Sequence, residues 1–350
     1  MKTSFISTLT LWNAPRSGVA RMQTDLASAL TELNSSRFAD VGLELGYRTG
    51  TSLDLHRQLA ELDAQKERNG LASLRLSGTQ TILDQVREDG EGFLALVAPG
   101  KLSDDSAAAI TQEASSRLAA LTAQLNGAAG GQYLFAGIDT GKKPVTIYEG
   151  TPASAAKTAM ATAFQAAFGT SQGTQPGAAA ITPAQMTAFL DGPFTALFTD
   201  ATWSANWSSA SNRNITSRIS GSETVETSVN ANAGALRQLA MAYTLGSDIG
   251  LSSLSKPTQD AVYTKIRDLM GTAAAGVTSF QADLGRAQTK TTEATTRIDI
   301  QKVVLTKSLE DLEGTDPAEV KTRIDTLKTQ IEMSYSVTSQ IRGLSLINFI

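Results

Sequence analysis

Near the C-terminal end, Val262, Ile266, Leu269, Ala273, Phe280, Leu284, Ala287, Ala294, Ile298, Leu305, Leu309 and Leu312 fall on one helical face, with small or polar residues between them. A stripe of that length has the period of a helix, not of a strand. It must be covered by another element, which commits the chain to helix packed on helix. The sequence "EGTDPAEV" then stops one helix at Gly314 and starts the next. Asp316 is placed to cap it, Pro317 takes the first helical position, and Glu319 is expected to complete a capping box. Val320, Ile324, Leu327 and Ile331 continue in heptad steps. Ser334 and Thr338 interrupt that seam, and Val337, Ile341, Leu344 and Ile347 resume on a shifted face.

The other end of the chain has the same design. Val19, Met22, Leu26, Leu30 and Leu33 form a stripe that breaks at "NSSRF". A second run passes from Leu53 through Leu55, Leu59, Leu62, Leu71, Leu74, Ile82 and Val86 towards Pro99 and Gly100. Gly70, Gly78, Gly90 and Gly92 weaken it, each by ~1 kcal/mol relative to Ala in a helix interior. "LSDDSAAAI" restarts a helix, with Ser103 as cap, Asp104 and Asp105 at the positive dipole end, and Ile110, Ala114, Leu118, Leu121 and Leu125 as its apolar face.

Between the helical ends the texture changes. Residues 141 to 230 are rich in Ala, Ser, Thr and Gly; "GTSQGTQPGAAA" reads as a flexible connector, and "NITSRISGSETVETSV" as two short strands around Gly221. "NANAGALRQLAMAYTLG" returns to helix. The expected fold is mainly α: a long antiparallel coiled coil or bundle of N- and C-terminal arms, with a smaller mixed α/β central insert. The expected segments are an N-terminal assembly arm (1–35), an N-terminal helical rod (36–140), the insert (141–233), a C-terminal rod (234–314) and a C-terminal assembly arm (315–350).

The outermost arms have nothing further along the chain to pack on, and the ending "IRGLSLINFI" is apolar where chain ends are usually polar. Val19, Met22, Leu26, Leu30, Leu33, Val320, Ile324, Leu327, Ile331, Ile341, Leu344 and Ile347 are therefore the expected assembly interface, covered by neighbouring copies of the chain.

Composition narrows the partners. A net charge of -4 with no run of Lys or Arg argues against nucleic acid. The absence of cysteine removes disulfides and thiolate chemistry. "MKTSFISTLTLWNAPRSG" is a poor signal peptide, because Ser7, Thr8 and Thr10 break the apolar run, and no window reaches the ~20 apolar residues of a membrane span.

No motif carries catalysis. His56 is the single histidine, so neither a His-based metal cluster nor a His-based triad can form within one chain, and a solvated or capping role is expected for it. Gly127, Gly130, Gly131 and Gly137 lack the lysine of a phosphate loop and read as a helix stop and turn. Trp203 and Trp207 read as core, and the pairs Asp104–Asp105 and Glu310–Asp311 as solvated. The sequons at Asn206 and Asn214 carry little weight. The expectation is a chain that is not an enzyme and needs no cofactor or metal.

The paired helical ends, the terminal "IRGLSLINFI" and the motif "GGQYLFAGIDTGKKPV" (130–145) resemble the bacterial flagellin superfamily. The motif, together with "ATWSANWSSASNRNITSRISGSETVETSV", is similar to the hook-associated protein 3 branch of alphaproteobacterial type. Flagellins that build filaments show an L-S-S-G-x-R-I type sequence and a Q-F-N-G type sequence, where this chain has "LTELNSSRFADVGLELGYRTG" and "GGQYLFAG". The resemblance implies a structural protein that joins hook to filament, secreted through the flagellar export apparatus into the extracellular flagellum. Its implied partners are further copies of itself, other hook-associated proteins, flagellin and a type III export chaperone. A filament-forming flagellin is the alternative in the same class. A ligand-binding or enzymatic module carried by the insert is the alternative from another class.

Overall fold

The computed structural model describes residues 8–98 and 106–347, and side chains from residue 16 to 340 within them. The chain divides into two compact units, with boundaries after Ala64 and after Thr296. Unit 1 takes both ends of the chain and unit 2 the middle.

Unit 1 contains α1 (Thr8–Ser35), α2 (Val41–Leu45), the first turns of α3 (Thr49–Leu96), the last turns of α9 (Lys256–Glu313) and α10 (Pro317–Ile347). The caps follow the sequence. Asp40 accepts a hydrogen bond from the Leu43 amide at 2.9 Å and starts α2. Gly314 ends α9, and Asp316 accepts from the Ala318 amide at 2.8 Å to start α10. Asp316 thus serves the second amide of α10 rather than the third, and among the described residues Glu319 makes no return bond, so the expected capping box does not form. Ile298 and Leu309 are buried on α9 and Leu305 and Leu312 half-buried, as the stripe requires. Lys302 of α9 pairs with Asp63 of α3.

Unit 2 holds the rest of α3 and α9 together with α4 (Ser106–Leu125), a hairpin of β1 (Ala128–Ala129) and β2 (Gln132–Tyr133), α5 (Ala155–Phe168), α6 (Pro183–Phe189), α7 (Asp200–Asn206), a hairpin of β3 (Thr216–Arg218) and β4 (Thr224–Glu226), and α8 (Gly234–Asp248). The expected start of α4, at Ser103 with Asp104 and Asp105, lies outside the described residues. α3 runs unbroken through its glycines, and one has a packing reason: a Cβ at Gly78 would come within 3.2 Å of Leu134.

The glycine motif builds a turn. Gly130 and Gly131 have φ of 57° and 78°, the two left-handed positions of a tight hairpin turn, and they join β1 to β2 in the register Ala129↔Gln132. Leu134, Phe135 and Ala136 follow, all buried. Gly137, φ 63°, admits no side chain, because a Cβ there would sit 2.5 Å from the Ser211 carbonyl oxygen and 2.6 Å from that of Arg213. The β3–β4 hairpin pairs Ser217 with Val225 around Gly221, as expected.

Residues 141–233 do not hold a core of their own. A chain of ring contacts runs through Phe164, Phe189, Phe194, Phe198, Trp203, Trp207 and Tyr148, and these residues belong to one hydrophobic cluster with Leu76, Leu83, Phe93, Leu118, Tyr243 and Ile266 of the long helices. Trp203 and Trp207 stack at 5.1 Å, both buried, as their reading as core requires. The whole of this stretch falls within unit 2. The "GTSQGTQPGAAA" segment, expected to be a loose connector, is packed. Gln175 donates to the Ser253 carbonyl at 2.7 Å, Ser253 donates to the Gly173 carbonyl at 3.0 Å, and Ala178 is fully buried. Its partners lie about eighty residues away, which composition does not reveal.

Candidate assembly interface

The two arms meet in unit 1. α1 packs against α10, and the cross-links run antiparallel: Gln23 Nε2 donates to the Tyr335 hydroxyl at 3.0 Å, while Glu32, later in α1, pairs with Arg323, earlier in α10. The apolar seam is thin. Ala29, Val320 and Ile324 are buried together, with Leu26 and Leu33 packed on them. Val19 is also buried, and Met22, Leu327 and Ile331 are half-buried.

Leu30 does not belong to the seam; it is 42% exposed. Heptad steps from Val19 run 22, 26, 29 and 33, so Ala29 takes the inward position and Leu30 stands one residue off it. On α10 the steps from Val320 run 324, 327, 331, 334 and 338. Ser334 and Thr338 accordingly keep the seam positions, half-buried, while Val337 is exposed. Ile341, Leu344 and Ile347 lie within α10, but their side chains are outside the described residues.

At the root of the arms the α1–α2 connection is tied to the α9–α10 connection. The Phe38 amide donates to the Glu313 carbonyl at 3.0 Å, the Thr315 amide to the Ser36 carbonyl at 3.1 Å, and Arg37 and Gly314 form an antiparallel bridge. Ser36 adopts a φ of 55° to make this turn. Two buried carboxylates sit in this elbow. Glu32 takes Arg323 on one oxygen and the Ala39 amide, at 3.3 Å, on the other. Glu313, 2% exposed, takes Arg37 on Oε2, and Ser52 and His56 on Oε1, the last at 3.0 Å. Burial pushes the Glu313 carboxyl up, but the hydrogen bonds from Ser52 and His56 and the charge of Arg37 outweigh it and hold the group below the usual glutamate range.

His56 is exposed, as its solvated reading expects, and its ring also reaches the buried Glu313 carboxylate, a contact that its isolation in the sequence did not reveal. Glu32, Arg37, Ser52, Glu313 and Arg323 were missed for one reason: the pairs across the elbow are separated by 257 to 291 residues. The exposed Asp311 accepts from Lys307 at 2.7 Å in an ordinary surface pair. Among the described residues no helix is long and apolar enough to cross a membrane, and no group of His, Asp and Glu side chains is arranged to hold a metal ion.

Comparison with known proteins agrees at both ends of the chain. The model of the bacterial flagellin N-terminal helical region matches residues 6–140, and that of the C-terminal helical region matches residues 268–350. Among solved structures, a protein assigned as a flagellar hook-associated protein from Vibrio parahaemolyticus is similar over 76% of this chain and 97% of its own, with a TM-score of 0.51 and 13% sequence identity. At that identity the likeness is one of fold. No curated protein sequence matches the chain. With both terminal helical regions matched, the two together spanning more than half of the residues, the chain belongs to the bacterial flagellin superfamily, whose members are structural components of the flagellum.

Proposed function

We propose that this chain is a junction subunit, which joins the flagellar hook to the filament through its paired helical arms and carries out no catalysis. The observation that carries the reading is the fold likeness to the hook-associated protein, which extends over 97% of that chain. The "GGQYLFAG" hairpin supports it, because that turn stands where filament-building flagellins show a different sequence. On this reading the seam residues of α1 and α10 are completed by neighbouring copies, by other hook-associated proteins and by flagellin. The chain reaches them by flagellar export with a type III chaperone and works outside the cell. A junction subunit meets different neighbours on its two faces, so its contacts favour a closed layer over unlimited growth.

A filament-forming flagellin is the second reading, favoured by the match of both flagellin helical regions. Electron microscopy of a deletion strain separates the two. The junction reading expects cells with hooks, no attached filaments and flagellin shed into the medium, restored by the intact gene. Normal filaments on the deletion strain, or long filaments grown from the purified chain alone, would contradict it.

A further inference from the structure

The β3–β4 hairpin leaves one edge open. The Thr227 amide donates to the Ile215 carbonyl at 2.8 Å and the Ile219 amide to the Glu223 carbonyl at 2.9 Å, so Ser217 and Val225 are the hydrogen-bonded pair between them. Thr224 and Glu226 fall on the alternate positions, and their main-chain N–H and C=O groups point away from β3. Both residues are exposed, and among the described residues nothing bonds to those groups. Beside this edge lies a cleft of about 690 Å³ between β4 and α9, with Phe280, Leu284 and Ala287 on its α9 side and no residue of β3 in its wall. Val225 is buried in the same hydrophobic cluster as Leu284 and Ala287, and Phe280 packs on that cluster.

We propose that the outer edge of β4 is a docking site for an extended segment of a partner protein, uncharged and with an apolar side chain at its centre, which adds a third strand to the hairpin. Unpaired main-chain groups along a strand edge are matched by the main chain of another strand. Thr224 and Glu226 each offer it a donor and an acceptor. An added strand lies about 4.8 Å from β4, and its residue opposite Val225 shares the face of Val225, turned to the apolar floor. The charges of the cleft set the rest of the chemistry. Arg286 pairs with Asp283, Lys290 pairs with Glu223 at 3.1 Å, and Glu226 accepts from Asn214 at 3.3 Å. Glu226 and Asp283 balance Arg286 and Lys290 in the wall, so a charge on the segment finds no free opposite charge and an uncharged segment fits best. The site lies wholly within unit 2 and does not depend on the junction reading.

The probe is an end-capped peptide, Ser-Thr-Val-Thr-Ser, added at millimolar concentration to the full chain, with amide exchange read residue by residue by NMR. In the free chain the Val225 and Thr227 amides should exchange slowly and those of Thr224 and Glu226 fast. Near-saturating peptide should slow the latter two about tenfold. The same peptide N-methylated at both Thr residues lacks the donors and should give no protection. Glu226→Pro removes one outward N–H and keeps the ladder to β3, so Val225 and Thr227 should stay slow while peptide affinity falls about fivefold. Asp283→Lys, at an exposed site on α9, leaves the hairpin unaltered and tests the charge argument even if Glu226→Pro fails to fold. It should shift preference by about two- to fivefold towards a peptide with Glu in place of the end Ser residues. The docking site is overturned if Thr224 and Glu226 stay fast with peptide, if the N-methylated peptide protects them equally, if folded Glu226→Pro binds unchanged, or if Asp283→Lys leaves the preference where it was. Protection that grows with the concentration of the chain alone also overturns it, because a second copy is then the occupant.

Discussion

Unit 2 and the α1–α10 pair are both helical, yet they are held by different means. Unit 2 buries Trp203, Tyr243, Phe93, Phe135, Phe164 and Phe194 in one continuous cluster that gathers residues from 76 to 294. The arm pair buries Ala29, Val320 and Ile324, and relies for the rest on half-buried seam residues and on two carboxylates at the elbow. Aromatic side chains bury about 150–250 Å² each, so the first region has a deep store of hydrophobic free energy and the second a shallow one. Amphipathic period alone therefore does not tell how firmly a helix is held. What matters is the size of the residues on the inward face and what lies opposite them.

The largest test of that contrast falls on unit 2. Trp203→Ala removes a fully buried ring that stacks on Trp207 and donates to Asn232 at 2.9 Å. It should destabilise unit 2 by about 3–5 kcal/mol, read from the urea midpoint. A loss below about 1 kcal/mol would mean that the aromatic cluster is not what holds this unit. Ile324→Ala strikes the centre of the thin seam and should cost about 2 kcal/mol, the low end for such a change because a shallow site can collapse. The loss should appear as faster amide exchange in α1 and α10, with the urea midpoint of unit 2 unmoved. Leu30→Ser is the smallest change: at an exposed site off the seam, it should alter the stability of the free chain by less than about 0.5 kcal/mol. If it opens the arms as far as Ile324→Ala does, the heptad placement of Ala29 over Leu30 is wrong.

The long helices were legible because a period sustained over many turns has no competing reading. α9 carries its apolar stripe from Val262 to Leu312, and its end at Gly314 is written in the chain. The β3–β4 hairpin was legible from Thr-rich runs around one glycine. Ala29 was not legible as a seam residue, because it is small and adds little to an apolar stripe, yet it is buried with Val320 and Ile324. The elbow was not legible at all. Arg37, Ser52, His56 and Glu313 come from three separate stretches, and each alone reads as an ordinary polar residue near a helix end. The packed 170–180 segment escaped for the same reason, since it is tied to Ser253 and not to its own neighbours.

The central claim is that the arms are only shallowly held in the free chain and that neighbouring subunits complete their seam. Hydrogen exchange tests it most directly, on a dilute verified monomer and again on assembled material, comparing α1 and α10 with α8 and the unit 2 part of α9. The account predicts weak protection of both arms in the monomer, strong protection of unit 2 helices, and a large gain in the arms alone upon assembly. Equal protection of arms and unit 2 in the monomer, or no gain on assembly, would contradict it.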